Sequence, residues 1–424
     1  MCGAVTGLDT HDPEMERARL VPGSRGFIVV LAGCMAATAL AIDASLPAFP
    51  EIRSAFDLEP GATSVTGIIT FFFIGSSLGL LPAGILADRF GRRPVMWGGL
   101  VLYIVGAVLS IFAPSLWVMF VARFIWGLGS AGPRVAAMAM VRDAYDGEQM
   151  AKQMSLIMAV FILVPAFAPS IATVVLLIGP WQAVFWMCAA VAVAVAASVS
   201  LLPETLAFES QRPLHGRDVA RGLRVIVVTP GTIGYLVALT AMFGVFLSYL
   251  ASSEIILDQV FGLERWFPIF FGAIAVTMGS AMYVNGRFVE RLGLQRIIGL
   301  SFVANLVAGT VLLAVAIATS GEPPFWLFAV LLGVVLFFQQ MLIPNLNAAA
   351  MRPLGHVAGT AAAMLGMIPG VCGAVIGGLI DRRFDGTIRP LAIGFVISSA
   401  VAFGGWRWAS RSETGPFVSV ASAG

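Results

Sequence analysis

A chain of 424 residues with 59% hydrophobic and only 11% charged side chains has far less charge than a soluble domain, in which about 25% of residues are charged. The mean hydropathy of +0.93 predicts a polytopic helical membrane protein. The net charge of +2 is small, no basic stripe with interleaved aromatics predicts a nucleic-acid partner, and the scattered cysteines and histidines lack the spacing of a metal site.

Apolar segments of about 20 residues follow one another with short breaks, and each is long enough to cross a bilayer. We predict a polar tail over 1–25, a six-helix bundle over 26–202, a linker over 203–229, a second six-helix bundle over 230–408 and a tail over 409–424. The predicted spans are 26–48, 61–82, 95–113, 116–140, 154–178, 181–202, 230–256, 267–285, 296–318, 325–348, 357–380 and 389–408. The fold class is therefore all-α, with twelve transmembrane helices in two pseudo-symmetric bundles.

The positions of the basic residues predict the orientation. With the N-terminus inside, the cytoplasmic segments hold eighteen arginines and lysines and the outer loops hold five. The first tail lacks the order of a cleavable signal peptide. We therefore expect both termini in the cytoplasm, and a multi-pass protein of a bacterial-type cytoplasmic (inner) membrane.

One short polar stretch, Gly84–Pro94, lies between the second and third spans, and a weaker copy follows at Gly286–Arg296. An acid within a basic cluster, with glycines at fixed offsets on either side, predicts a tight turn with defined salt-bridge partners. Four residues of the first copy recur at one offset of 202 residues: Gly84, Asp88, Arg89 and Gly91 correspond to Gly286, Glu290, Arg291 and Gly293. Because this offset is close to half of the chain, the sequence reads as two copies of one unit.

Two ionisable residues lie at membrane depth, where insertion costs about 2.5–3.5 kcal/mol for each. Asp43 in the first span and Arg123 in the fourth lie ~8 Å and ~10 Å from the outer ends of their helices, at ~1.5 Å per residue. They can pair if both spans face one cavity; the alternative is that both side chains snorkel to the outer headgroups. Glu254, near the outer end of the seventh span, is either solvated at the interface or part of the coupling, and the role of Arg134 stays open.

Amide and aromatic side chains within the spans are candidates for a cavity that recognises varied small molecules. These candidates are Trp126, Phe72, Tyr249, Gln339, Gln340 and Asn345. The alternative for the amides is hydrogen bonding between helices. In the fifth span, Pro165 and Pro169 predict a helix kink. Glycine-rich runs in the second and eleventh spans predict close helix packing.

Nucleotide-binding and hydrolase motifs are missing: there is no Walker lysine loop, no GxSxG elbow and no HExxH. We therefore expect no enzyme activity, no cofactor and no ATP as the energy source. The expected partners are a small-molecule substrate and the lipid bilayer, and we expect a monomer.

The polar stretch Gly84-x-Leu86-Ala87-Asp88-Arg89-x-Gly91-Arg92-Arg93 resembles the signature loop of the major facilitator superfamily. Arg123-x-x-Trp126-Gly127-x-Gly129 resembles the fourth-span motif of its proton-linked drug antiporters. Further segments resemble the Bcr/CflA group: Ala41–Pro50, Val141–Tyr145, Ala168-Pro169, Leu202–Leu206 and Gly355–Ala361.

The resemblance implies an alternating-access antiporter that exports drug-like or small amphipathic molecules in exchange for protons, so that protons are a further partner and the proton gradient is the energy source. It implies that Asp43 and Arg123 belong to the proton and substrate pathway. It also implies that Asp88 and Arg92 join Asp143 in a conformational latch, which we expect to be stronger than the second copy. Since no glycine surrounds Pro169, a proton-linked importer of a nutrient or siderophore is the alternative, and a non-transporting receptor is a third.

Overall fold

The computed structural model describes residues 20–206, Arg224 and residues 229–413, and this part of the chain contains only helices and loops. Twelve helices in these ranges are long and apolar enough to cross a membrane, which confirms the predicted number. The first six are α1 (Arg25–Asp43), α2 (Gly67–Phe90), α3 (Arg92–Ile111), α4 (Leu116–Ala144), α5 (Gly147–Leu176) and α6 (Gln182–Val199). The second six are α7 (Pro230–Gln259), α8 (Phe267–Leu292), α9 (Leu294–Ala318), α10 (Phe325–Met351), α11 (Ala358–Asp381) and α12 (Arg389–Glu413).

Short elements connect some of these helices. A short α-helix, Phe49–Ala55, follows α1, and 3₁₀ turns lie at Leu46–Ala48, Thr63–Thr66, Glu264–Trp266 and Arg352–Val357. Most of both predicted tails and of the predicted linker lies outside the described residues.

The chain divides into two compact units. The first unit contains Met1–Pro60 and Phe71–Leu214, and the second contains Gly61–Thr70 and His215–Gly424. The short segment Gly61–Thr70, which the sequence places in the first bundle, therefore clusters with the second unit.

Several helices are longer than the predicted spans. The helices α5 and α7 each contain 30 residues, or ~45 Å at 1.5 Å per residue, whereas the hydrocarbon core is ~30 Å thick. Hydropathy marks only the apolar part of a helix, so the polar ends were assigned to loops. In the structure α2 continues to Phe90 and α4 to Ala144, and this places Asp88 and Asp143 on helices.

Glycines bring α2 and α4 into close contact in the first unit. A Cβ atom on Gly75 would overlap the Phe124 carbonyl oxygen, and one on Gly127 would overlap the Phe72 carbonyl oxygen. Only glycine permits this approach of the two backbones. The predicted close packing at the glycine-rich run of the second span is confirmed.

In the second unit, α7 and α11 are also in close contact. A Cβ atom on Gly377 would lie 2.9 Å from the Gly244 carbonyl oxygen and 2.9 Å from the Ser248 amide nitrogen. The glycine-rich run of the eleventh span therefore also packs as predicted, and it brings Ser248 next to the last turn of α11.

The fifth span continues as one helix through Pro165 and Pro169. Each proline lacks the N–H that would bond the carbonyl four residues earlier. The Thr173 hydroxyl donates a hydrogen bond to the Pro169 carbonyl at 2.9 Å. The helix is not interrupted, and the kink stays a prediction.

Candidate functional site

Arg123 is completely enclosed by protein in the first unit. Its guanidinium carbon lies over three aromatic rings: that of Trp126 at 4.7 Å, that of Phe72 at 4.8 Å and that of Phe185 at 5.7 Å. A cation over an aromatic face gains about 2 kcal/mol or more when water is excluded. Residues of α2, α4 and α6 therefore form an aromatic cage that holds the cation inside the membrane region.

Hydrogen bonds attach this arginine to α1 and the turn that follows it. Its Nη2 donates to the Ala41 carbonyl at 2.9 Å and lies 3.5 Å from the Ser45 hydroxyl. Ala41 and Ser45 are four residues apart and share one face, whereas Asp43 is two residues from each and ~200° around the helix from Ala41. Asp43 forms no hydrogen bond or ion pair with any residue in the described ranges, so its predicted direct pairing with Arg123 is not present in this structure.

Asp43 is 3% exposed, and Arg123 is not exposed at all. Enclosure of both side chains by protein argues against the alternative in which they snorkel to the headgroups. A buried carboxyl group without a cationic partner is costly to ionise. Arg123 instead bonds the Ala41 carbonyl and lies 3.5 Å from the Ser45 hydroxyl, two residues to either side of Asp43 in the chain.

The aromatic residues predicted to line a substrate cavity are packed inside the protein. Trp126 and Phe72 have no exposed surface, and Tyr249 is 2% exposed and stacks on Phe271 with ring centroids 6.3 Å apart. In this structure neighbouring rings cover the faces of these side chains, together with the Arg123 cation in the case of Trp126 and Phe72. Their role in lining a substrate cavity stays a prediction.

The predicted amides connect helices within the second unit. Gln339 donates to the Met242 carbonyl at 2.7 Å, and Asn345 donates to the Asn285 side-chain oxygen at 2.6 Å. Gln340 is partly buried and lies 3.8 Å from a methionine sulfur. The structure therefore favours the alternative of interhelical hydrogen bonding for these residues.

Two acids of the second unit are buried. Glu254 is 1% exposed and is not solvated at an interface. Asp381, one residue beyond the predicted span 357–380, is the last residue of α11, is 3% exposed and accepts a hydrogen bond from Ser248 at 2.6 Å. Reasoning from the sequence did not select Asp381. The segment before it, Gly377-Gly-Leu-Ile, nevertheless contains no proline or polar residue that would predict the end of the helix.

The three residues of the expected latch are brought together in the first unit. Arg92 donates from Nε to Asp143 at 2.9 Å and from Nη1 to Asp88 at 2.5 Å. This side chain thus connects the end of α2, the start of α3 and the end of α4. Arg89 is exposed, and its guanidinium lies 5.1 Å from the ring of Phe90, so it takes no part in these ion pairs.

The predicted turn consists of one residue, Gly91, which separates the end of α2 from the start of α3. Gly91 has φ +100°, and a Cβ atom there would lie 2.5 Å from a Glu204 carboxylate oxygen. Gly293 has φ +79° at the same place in the second copy. By contrast, Gly84 and Gly286 lie inside α2 and α8, which corrects the prediction that glycines on both sides form the turn.

The start of α3 is capped by an acid that sequence reasoning did not select. Glu204 accepts hydrogen bonds from the backbone N–H of Arg92 at 2.8 Å and of Arg93 at 3.0 Å. Its neighbour Thr205 donates to Asp143 at 3.2 Å. A carboxylate at a helix N-terminus satisfies free N–H groups and is stabilised by the helix dipole. The beginning of the predicted linker therefore belongs to the latch.

The second polar copy is held by neutral contacts. Glu290 and Arg291 are exposed and form no ion pair within the described part of the chain. Gln295 donates to the Tyr235 hydroxyl at 2.8 Å and accepts from the Trp406 indole at 2.9 Å. The two copies thus differ as the sequence predicts, with the ion pairs in the first.

Two further observations complete the site. The guanidinium of Arg134 lies 5.4 Å from the ring centroid of Phe161 on α5, one turn before Pro165. Within residues 20–206 and 229–413, no group of three histidine, cysteine or acidic side chains could hold a metal ion.

Known proteins with similar sequences include the bicyclomycin resistance protein homolog of Haemophilus influenzae. It is 28% identical over 369 residues, which cover 86% of this chain and 91% of that protein. The multidrug resistance protein MdtL of Escherichia fergusonii is 29% identical over 342 residues, which cover 78% of this chain and 82% of that protein.

Two solved structures have the same fold. A peptide transporter, POT, aligns over 95% of this chain and 99% of its own, with a TM-score of 0.75 and 13% identity. The xylose transporter XylE of E. coli aligns over 90% of this chain and 97% of its own, with a TM-score of 0.68 and 13% identity. The sequence profile of the Major Facilitator Superfamily matches residues 31–378. The chain therefore belongs to the major facilitator superfamily, a group of membrane transporters.

Proposed function

We propose that this protein exports drug-like or small amphipathic molecules in exchange for protons. The observation that carries the proposal is Asp43, a buried carboxyl group without an ion-pair partner, held beside the caged Arg123. The names of the relatives, bicyclomycin resistance and multidrug resistance, support a drug-like substrate.

Exchange follows from competition for one carboxyl group. A proton neutralises Asp43, and a cationic substrate replaces the proton by supplying its own charge. Both cannot occupy the carboxylate together, so binding of one favours release of the other. Arg123 is a positioning residue in this scheme, because its hydrogen bond to Ala41 and its contact with Ser45 fix the backbone on both sides of Asp43.

The proton gradient is the energy source, and no cofactor takes part. The distribution of arginines supports an orientation with both termini in the cytoplasm of a bacterial-type inner membrane. The Arg92 ion pairs act as a latch that stabilises one conformation of the first unit. The protein works as a monomer, has no enzymatic activity and binds no nucleic acid.

Proteoliposomes test the proposal. Purified protein is reconstituted, a pH gradient is imposed, and the movement of a fluorescent amphipathic cation such as ethidium is followed. We expect gradient-driven exchange by the wild type and by the exposed-acid control Asp385→Asn, and no exchange by Asp43→Asn. Exchange by Asp43→Asn at the wild-type rate would show that this carboxyl group does not couple protons to transport.

A proton-linked importer is the second candidate. The sequence around Pro169 favours it, because Ala168 and Ser170 stand where the antiporter motif prefers glycine. Accumulation of a nutrient or siderophore in intact cells, abolished by an uncoupler, would support import. Ligand binding without flux in the liposomes would instead indicate a receptor.

A further inference from the structure

Asp381, at the end of α11, lies outside both the Asp43 region and the latch. Its side chain is 97% buried, and one carboxyl oxygen accepts a hydrogen bond from the Ser248 hydroxyl at 2.6 Å. The other oxygen, Oδ2, is also buried and accepts no hydrogen bond from any residue in the described ranges. A buried carboxylate in such surroundings would leave a full charge without compensation.

The close contact between α7 and α11 explains this burial. Because Gly244 and Gly377 allow the two backbones to meet, the last turn of α11 is held against Ser248. The 3₁₀ turn Thr63–Thr66 belongs to the same unit, and the Thr66 side chain approaches the Asp381 carboxyl group.

The hydroxyl of Thr66 already donates its hydrogen to the Thr63 carbonyl at 2.8 Å. A hydroxyl has one hydrogen and two lone pairs, so Thr66 can still accept a hydrogen bond but has none left to donate. It can therefore accept a hydrogen bond from the O–H of a protonated Asp381 while it keeps its own bond to the Thr63 carbonyl.

The surrounding charged groups do not neutralise Asp381. Arg382 and Arg383, which follow it, are exposed, and Arg389 at the start of α12 lies 3.5 Å from the Ala316 carbonyl. None of these arginines forms an ion pair with Asp381 in the part of the chain that the structure describes.

We propose that Asp381 is a second proton-binding site, separate from Asp43, and that it carries its proton on Oδ2 in this conformation. Release breaks the Oδ2–H bond and passes the proton to water once Ser248 and Thr66 withdraw from the carboxyl group. The arginine distribution places this end of α11 on the outer side, so the proton would exchange with the external medium. The site extends the proposed function but does not depend on the substrate or on the direction of transport.

Proton counting tests the site without any transport. A solvated aspartate is ionised at neutral pH, so a carboxyl group that is protonated only because it is buried releases its proton on unfolding. Purified protein in weakly buffered detergent at neutral pH is unfolded with SDS while a pH indicator is read. We expect Asp381→Asn to release about one proton per chain fewer than the wild type.

Asp385→Asn is the matched control. Asp385 lies four residues further along the chain, is exposed and accepts hydrogen bonds from the Thr387 amide and hydroxyl. This variant should release as many protons as the wild type. Equal release by the wild type and Asp381→Asn would overturn the proposal, because Asp381 would then be ionised in the folded protein.

Infrared spectroscopy gives a second readout that keeps the acid in place. The wild type should show the C=O band of a protonated carboxyl group that Asp381→Asn removes. Ser248→Ala should move this band to higher frequency, because the hydrogen bond to Oδ1 is lost. If Asp381→Asn fails to fold, the Ser248→Ala spectrum decides, and an unshifted carboxyl spectrum refutes the proposal. Because neither measurement uses substrate or a gradient, failure here is distinguishable from failure of the exchange mechanism at Asp43.

Discussion

The Arg92–Asp143 ion pair should stabilise the first unit more than the shorter Arg92–Asp88 ion pair. The side chain of Asp88 is 53% exposed and that of Asp143 is 23% exposed. An exposed pair four residues apart on a helix contributes about 0.3–0.5 kcal/mol. A hydrogen bond to a charged group that is shielded from water contributes about 1.5–3 kcal/mol. Burial rather than distance therefore decides which ion pair is stronger.

A double-mutant cycle measures the coupling energy of each of the two ion pairs. Asp143→Asn, Asp88→Asn and Arg92→Gln are made singly and in pairs, and the free energy of unfolding is obtained from SDS titrations in mixed micelles. We expect a coupling energy of about 2 kcal/mol for Arg92 with Asp143 and about 0.5 kcal/mol or less for Arg92 with Asp88.

The control for this cycle is Asp385→Asn combined with Arg92→Gln. Among the residues that the structure describes, the Asp385 carboxylate bonds only Thr387, so the two changes should be additive. If the coupling of Arg92 with Asp88 equals or exceeds that with Asp143, the reasoning from exposure is wrong.

Three further predictions concern the latch and the aromatic cage. Asp88→Asn should slow transport more than Glu290→Gln at equal expression, because only Asp88 has an ion pair; equal losses would contradict this. Glu204→Gln should lower the free energy of unfolding by about 0.3–1 kcal/mol, since the charge at the α3 N-terminus is lost, and an unchanged SDS titration would refute the capping role. Arg123→Lys should reduce transport at least about tenfold and shift its pH profile, since loss of the charged hydrogen bond to the Ala41 carbonyl, about 1.5–3 kcal/mol, releases the turn around Asp43; wild-type behaviour would show that charge alone suffices.

The number of helices and the breaks at Gly91 and Gly293 could be predicted, because they depend on local properties. Hydropathy marks a membrane span directly, and glycine is the residue that adopts positive φ without strain. The partners of Arg92 were also predictable, through the resemblance of the loop to a known signature. The helix ends could not be predicted, because hydropathy does not detect a polar helical segment that continues beyond the membrane.

The contacts of the candidate site depended on tertiary structure. The predicted depths placed Asp43 level with Arg123. However, packing decides which side of α1 and of the turn after it faces α4, and that side carries Ala41 and Ser45. Likewise, the sequence places Asp381 just beyond the eleventh span. Only the close contact between α11 and α7 shows that its side chain lies against Ser248. Spacing alone does not show which helices pack together, so these contacts lay beyond sequence reasoning.

The capping of α3 by Glu204 has a practical consequence for dividing the chain. Glu204 and Thr205 bond the start of α3 and Asp143, so these first linker residues belong structurally to the half that precedes them. A first half produced as a separate polypeptide should therefore keep this cap when the cut follows Leu206. A cut before Pro203 would remove the cap and leave the α3 N-terminus without its acceptor.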